Sequence, residues 1–243
     1  HRVSRRQRQM CIRDRASTSR IEKKPELVEA LKKVLPASSI IEDKAETLAY
    51  ECDALTAYRC PPMLVVLPET TAQVSEVLKL CHKMNIPVIP RGSGTSLAGG
   101  AMPSADSVVL GVSKMNSVLE TDYRDRFIRV QSGLTNIGVT NAVEDNGYFY
   151  APDPSSQLAC AIAGNIGMNS GGAHCLKYGV TSNNLLGVKL VTMDGQILEI
   201  GGAAFDSNGL DLLSVVCGSE GQLGIVTDCL LYTSPSPRDV VPS

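Results

Sequence analysis

Long hydrophobic runs are absent from this sequence. No stretch approaches the roughly 18 apolar residues that a membrane-spanning helix needs, and the start has no apolar core of the kind a secretory signal carries. Charge of one sign is also scarce: a formal net charge of −2 over 243 residues gives no general attraction to nucleic acid or to an anionic membrane. Paired cysteines are missing. The eight cysteines, at 11, 52, 60, 81, 160, 175, 217 and 229, include no C-x-x-C, which fits neither a zinc site nor a small disulfide framework. Reduced, mostly buried thiols in a cytoplasmic protein are the simplest account. Histidine is limited to His1, His82 and His174.

What remains is a globular composition, 43% hydrophobic and 20% charged, in a chain long enough for one large domain or two small ones. The two ends differ from the middle. Residues 1–15 hold six arginines and one aspartate, a local charge of +5 that leaves −7 for the rest. That segment lacks apolar periodicity, and L-Y-T-S-P-S-P-R-D near the other end is polar and proline-broken. Both resemble translated sequencing-adapter sequence; a basic nucleic-acid arm is the alternative for the first. The expected organisation is a foreign or disordered segment at 1–15, one domain over 16–228, and a foreign or disordered tail at 229–243.

Within the domain, Leu27, Val28, Leu31, Val34 and Leu35 recur at helical spacing. Glu42 to Tyr50 is expected to continue helically, and Pro61-Pro62 breaks the chain. Met63 to Leu67 is an apolar run bounded by prolines, expected as an interior strand. Thr70 or Thr71 caps a helix reaching about Asn85, with Val74, Val77, Leu78, Cys81 and Met84 on one face and His82 off it, at the surface. Pro87 to Ile89 is a short buried strand ending at Pro90. Ser107 to Val112 and Phe127 to Gln131 are expected strands, and Thr135 to Asp145 a helix closed by Asn146-Gly147. Leu186 to Met193, Asp194-Gly195 and Gln196 to Ile200 form a β-hairpin pattern. The order strand, helix, strand, then glycine loop is that of an α/β or α+β unit.

Four segments carry the chemistry. In the first, Arg91 precedes Gly92, Ser93, Gly94, Thr95 and Ser96, whose small side chains and successive N–H groups can form an anion-binding concavity. An ordinary glycine-rich turn has the same residues. The Rossmann fingerprint fails because Leu97 holds the third glycine position, and the Walker A loop fails because Gly100 stands where lysine must be. The second segment, Ala151 to Ser156, fixes Asp153 between two prolines beside Ser155 and Ser156; a plain surface turn is its other reading. The third, Ala161 to His174, crowds glycines and asparagines together. A packed helix disfavours so many glycines, at about 1 kcal/mol each relative to alanine, so close approach of a ligand explains them better. The fourth, Gly218 to Val226, joins a glycine-rich turn to an apolar strand. Gly94 and Gly167 are the glycines expected to need their missing side chains.

In order, the blocks R-G-S-G-T-S-L-A-G-G, P-D-P-S-S, G-N-I-G-M-N-S-G-G-x-H-x-x-K-Y-G and G-S-E-G-x-L-G-I-V resemble the FAD-binding PCMH-type domain of the vanillyl-alcohol oxidase superfamily. Within it, the sequence is most similar to the glycolate oxidase FAD subunit, D-lactate dehydrogenase and D-2-hydroxyglutarate dehydrogenase group, from roughly Lys24 to Thr227. The resemblance implies two α+β subdomains clasping FAD. It places the diphosphate on Pro90, Arg91, Gly92, Ser93, Gly94, Thr95, Ser96, Gly99 and Gly100, and the flavin end on Pro152, Asp153, Ser155 and Ser156. Gly164, Asn165, Gly167, Asn169 and Ser170 would continue the cradle, and Gly224, Ile225 and Val226 would touch the cofactor by backbone. Thr95 stands where some members tether flavin to histidine, so the FAD is expected to be non-covalent. His174 is read as structural.

The resemblance further implies an FAD-dependent 2-hydroxy-acid dehydrogenase. Its full-length form would take a small 2-hydroxy acid and be reoxidised by an iron–sulfur or other electron-carrier subunit. The substrate domain of such relatives, with its arginine, histidine base and histidine-rich metal site, has no counterpart in this sequence, so no catalytic residue and no metal ligand is assigned. Two alternatives stand beside this reading. One is an FAD-binding fragment or subunit without turnover of its own. The other is a flavoenzyme like UDP-N-acetylenolpyruvoylglucosamine reductase, which would be reduced by NADPH.

Overall fold

In the computed structural model, residues 16–203 and 209–236 are described. Segment 1–15, with His1 and Cys11, and residues 237–243 lie outside them. Two sheets, each with its own apolar core, form the fold. The first has strand order β1-β2-β4-β3, built from β1 (Ile40–Ile41), β2 (Leu64–Val66), β3 (Val88–Arg91) and β4 (Val108–Gly111). β2, β4 and β3 run parallel and β1 pairs antiparallel at the edge. Parallel neighbours buried on both faces require continuous apolar strands, and L-V-V and V-V-L-G meet that requirement with every residue buried.

Two helices cover this sheet. Helix α1 (Lys24–Leu31) buries Leu27, Val28 and Leu31. Helix α2 (Thr71–Met84) starts where the Thr70 side chain accepts from the Gln73 amide and stops at Asn85, which turns left-handed at φ 56°. Val74, Val77, Leu78 and Cys81 fill the first core from its apolar face, and His82 is exposed. Burial pushes the Cys81 thiol up to about 12, so it acts as a small hydrophobe. The Thr70 cap, the strand Met63 to Leu67 and the position of His82 all follow the sequence expectation.

The second sheet is antiparallel, in the order β5-β6-β10-β8-β9. It consists of β5 (Val118–Asp122), β6 (Phe127–Gln131), β8 (Leu185–Val191), β9 (Ile197–Gly201) and β10 (Ile225–Tyr232). A short pair, β7 (Tyr148–Phe149) with β11 (Ser234–Pro235), lies apart from it. Helices α3 (Asn136–Asn141), α4 (Ile162–Met168) and α5 (Leu212–Val216) accompany this half. The two halves are tied through α2. Ser75 Oγ donates to the Gly195 carbonyl at 2.6 Å, Thr71 Oγ1 donates to Thr227 Oγ1 at 3.0 Å, and Val191 and Ile225 reach into the first core.

Three expectations change. The helix from Thr135 is split: α3 ends at Asn141, a 3-10 turn follows at Glu144–Asn146, and Gly147 closes it with φ 75°. The glycine-rich stretch at 161–174 is helical over Ile162–Met168 because Ile162 and Ile166, four apart, are both fully buried in the second core. Tertiary burial there overrides the glycines' poor helix propensity. The boundary expected after Asp228 falls inside β10. Cys229, Leu230 and Leu231 are buried, and the strand pairs with β6 on one side and β8 on the other. Backbone pairing needs only an extended, apolar stretch, which C-L-L-Y supplies. Asp228, inside the strand, is paired with Lys189 Nζ at 3.2 Å.

Candidate functional site

Between the two halves lies an open cleft of about 290 Å³. The loop leaving β3 forms one wall, α4 a second, and the turn leading into β10 a third. Most of the residues expected at the site line it together: Pro90 to Ser96, Gly100, Ser156, Gly164, Asn165, Gly167, Ser170, and Gly224 to Val226. Gly99, Pro152, Asp153, Ser155 and Asn169 stand outside that lining. Cys160, Val216 and Glu220 line it without having been anticipated.

The loop's backbone explains its composition. Gly94 has φ +70°, which favours glycine, and a Cβ there would come within 2.3 Å of Arg91 Nη2 and displace that side chain. The amides of Ser93, Gly94 and Thr95 donate to no described residue. Three successive unengaged N–H groups at a cleft wall suit an anion. Arg91, in the same wall, is also tied to its own chain. Its Nη1 donates to the Cys52 carbonyl at 2.7 Å, and its guanidinium lies 5.4 Å from the Tyr50 ring centroid. Burial lowers the guanidinium pKa, with Tyr50, Cys52 and Asp53 opposing. The cation is engaged with its own chain.

On α4 the side chains separate by face. Ile162 and Ile166 pack into the second core and Ala163 against the first. A Cβ at Gly164 would meet nothing within 4 Å, and one at Gly167 would sit 3.8 Å from Glu220 Cα, an ordinary contact. The protein itself therefore does not need glycine at either position, so a need for glycine at Gly167 would come from the ligand alone. Asn165, 2% exposed, is a brace. Its Oδ1 accepts from Asn136 Nδ2 at 2.9 Å, and the same amide group donates to the Pro152 carbonyl at 2.9 Å. Asn136 thus joins α4 to the P-D-P-S-S segment. A buried amide of this kind has no signature in hydrophobic periodicity.

Asp153, outside the lining, anchors that segment to the stretch that follows α4. Asp153 accepts from the His174 amide at 3.1 Å, and its other oxygen lies 2.7 Å from His174 Nδ1. Gly172 approaches so closely that a Cβ would lie 1.8 Å from the Asp153 carbonyl oxygen. His174 also makes edge contacts with Phe149 and Tyr178, in keeping with a structural part. Asn169, left-handed at φ 48°, caps α4 and accepts from the Ser182 amide at 2.9 Å.

Two glycine variants separate fold from ligand. Without cofactor, Gly94→Ala should lower stability by about 1–2 kcal/mol, because it strains the loop and displaces Arg91. Gly167→Ala should be neutral or stabilising by up to about 1 kcal/mol, since helical alanine is favoured over glycine. Urea unfolding of both variants checks this; equal losses would contradict the geometry.

Two mixed subdomains enclose a cleft walled by glycine turns, with main-chain amides of Ser93, Gly94 and Thr95 unengaged among the described residues. A family model described as FAD binding domain matches residues 62–201. The chain belongs to the FAD-binding domain family, and FAD is its cofactor. The glycolate oxidase subunit GlcD of Escherichia coli K12 is 45% identical over 208 residues, covering 86% of this chain and 42% of that protein. The D-lactate dehydrogenase of Anaerostipes hadrus is 32% identical over 219 residues, covering 89% and 46%. Among solved structures, an alkyldihydroxyacetonephosphate synthase superposes with a TM-score of 0.78 at 25% identity, covering 87% of this chain and 40% of that one. The chain therefore spans less than half the length of these relatives. The expected α+β PCMH-type fold is the one observed.

The residues fit the cofactor on two counts. The cleft offers unengaged amides where a diphosphate needs donors, and open space at Gly164 where a flat ring system needs close approach. Among the described residues no group of three or more His, Cys, Asp or Glu could hold a metal ion, and no helix is long and apolar enough to cross a membrane.

Proposed function

We propose that this chain is the FAD-binding part of an FAD-dependent 2-hydroxy-acid dehydrogenase of the glycolate or D-lactate type. One observation carries the cofactor placement: the free amides of Ser93, Gly94 and Thr95 share a cleft with the open face at Gly164. The diphosphate sits against those amides, with Pro90, Gly92, Ser96 and Gly100 shaping the wall. Ser156, Gly164, Asn165, Gly167 and Ser170 cradle the rest, and Gly224 to Val226 approach through backbone. Arg91, Gly99, Pro152, Asp153, Ser155 and Asn169 act as supports for these elements. The substrate class rests on the relatives, one named a glycolate oxidase subunit and another a D-lactate dehydrogenase.

FAD, when bound, supplies the hydride acceptor for the substrate carbon–hydrogen bond. The chain's own residues fix the cofactor and exclude water from one face. The cleft lining contains only three ionisable side chains, Arg91, Cys160 and Glu220. Its single cation is engaged with Cys52, so neither a carboxylate clamp nor a histidine base faces the cofactor from these walls. Positioning a substrate against a base accounts for about 7–11 kcal/mol of such a barrier. The reading includes an electron-carrier subunit as partner and a cytoplasmic location, supported by the described cysteines all being free thiols.

The test is anaerobic bleaching of bound flavin. In the 243-residue chain, glycolate, D-lactate and D-2-hydroxyglutarate should leave the flavin oxidised, whereas dithionite should bleach it. In a protein carrying this domain at the relatives' length, one of those acids should bleach it rapidly and NADPH should not. Bleaching by NADPH alone would favour the reductase reading, and rapid bleaching of the 243-residue chain would place a complete substrate site within it.

A further inference from the structure

We propose that the segment from Tyr50 to Leu55 is a strap that sets the shape of the glycine loop before any ligand arrives, with Asp53 as the positioning residue for the loop's far end. The proposal rests on the reading that this loop seats the diphosphate of FAD. Three hydrogen bonds run from the strap to the start, middle and end of the loop. At the start, Arg91 Nη1 donates to the Cys52 carbonyl at 2.7 Å, with the guanidinium over the Tyr50 ring. In the middle, the Ala54 amide donates to the Ser96 carbonyl at 3.0 Å. At the end, the Gly99 amide donates to Asp53 Oδ2 at 2.9 Å.

Asp53 is 5% exposed, and a carboxylate so buried is tolerated only with its oxygens satisfied. Both are satisfied by backbone: Oδ2 by Gly99, and Oδ1 by the Leu55 amide at 2.9 Å, which makes a turn within the strap. The carboxylate is therefore committed to joining two main-chain segments. The strap takes from the loop one side chain, one carbonyl and one distal amide, and leaves the amides of Ser93, Gly94 and Thr95 unengaged. Bonds at the flanks with donors free at the centre are what a preorganised anion seat requires, because ordering the loop then adds little cost to binding. Arg91 accordingly acts on the ligand through the loop it holds.

Asp53→Ala, Asp53→Asn and Tyr50→Leu in the full chain test this with two measurements. The first is amide hydrogen exchange without cofactor. Exchange at Gly99 and Leu55 should quicken about tenfold or more in Asp53→Ala while the amides of β2 and β4 keep their protection, and Asp53→Asn, which retains one acceptor oxygen, should restore part of it. The second is FAD titration. Asp53→Ala should bind about tenfold or more weakly, Asp53→Asn should fall between it and the unsubstituted chain, and Tyr50→Leu should also weaken binding. Unchanged exchange at Gly99 in Asp53→Ala, or unchanged FAD affinity in both Asp53→Ala and Tyr50→Leu, would overturn the strap. Failure of the unsubstituted chain to bind FAD would instead overturn the reading of the cleft, and the exchange data would still decide whether the strap holds the loop.

Discussion

Gly164→Leu should leave the chain folded, and even a little more stable, while removing most of its affinity for FAD. Gly164 is inside α4, where leucine is favoured over glycine by about 1 kcal/mol. A Cβ there meets no protein atom within 4 Å, so the fold has room for the side chain. That room lies in the cleft lining. A leucine would fill space that the cofactor must occupy, and overpacking of this kind costs about 1–3 kcal/mol, or up to about 100-fold in affinity. Urea unfolding without cofactor and a flavin fluorescence titration on the same sample give both numbers. Unchanged affinity would mean that the ligand does not approach α4 at this turn. Loss of both stability and affinity would mean that Gly164 serves the fold.

Ending the chain after Asp228 should abolish folding. The cut removes Cys229 to Tyr232 from β10, the central strand of the second sheet, and with them pairings to Phe127–Val130 on β6 and to Leu185, Gly187 and Val188 on β8. Leu230 and Leu231 are 3% and 0% exposed. Each fully buried leucine contributes about 1.5–3 kcal/mol, against a total stability of about 5–15 kcal/mol for a typical domain. The strand ladders and the β7–β11 pair are lost as well. Circular dichroism and size-exclusion chromatography of the shortened chain would show an unfolded or aggregated species. A monomer with cooperative unfolding would contradict the assignment of β10 as a central strand.

The difference between these two positions shows what the sequence made legible. Periodicity located α2 and both of its caps because Thr70 and Asn85 bracket a clean apolar face. Turn chemistry located the β8–β9 hairpin, where Gly195 takes φ +81°. The glycine blocks brought most of the cleft lining together before any coordinates, since main-chain recognition leaves glycine as its trace. Three other features left no such trace. The helix α4 was hidden by its own glycines, because its stability comes from Ile162 and Ile166 meeting the second core. The end of β10 was obscured by the polar, proline-broken stretch beside it, although the strand pairs as far as Tyr232 and pairing resumes at Ser234–Pro235 on β11. Asp53 and Asn136 act through hydrogen bonds to backbone at sites 46 and 16 residues away, and single polar residues doing so have no period to detect. Arg91 was legible as a residue of the site, but its tie to the Cys52 carbonyl at 2.7 Å was not, because that partner lies 39 residues away in the chain.

The central claim, that the cleft between the two sheets holds FAD without a covalent bond, is tested most directly by retention after desalting. The chain, folded in the presence of FAD and passed through a desalting column, should carry about one FAD per chain by its flavin absorption band. Denaturation should release all of that flavin into the supernatant, and NAD or ATP offered in the same way should not be retained. A chain that keeps NAD or ATP and no flavin, or keeps nothing while folded, would contradict the account.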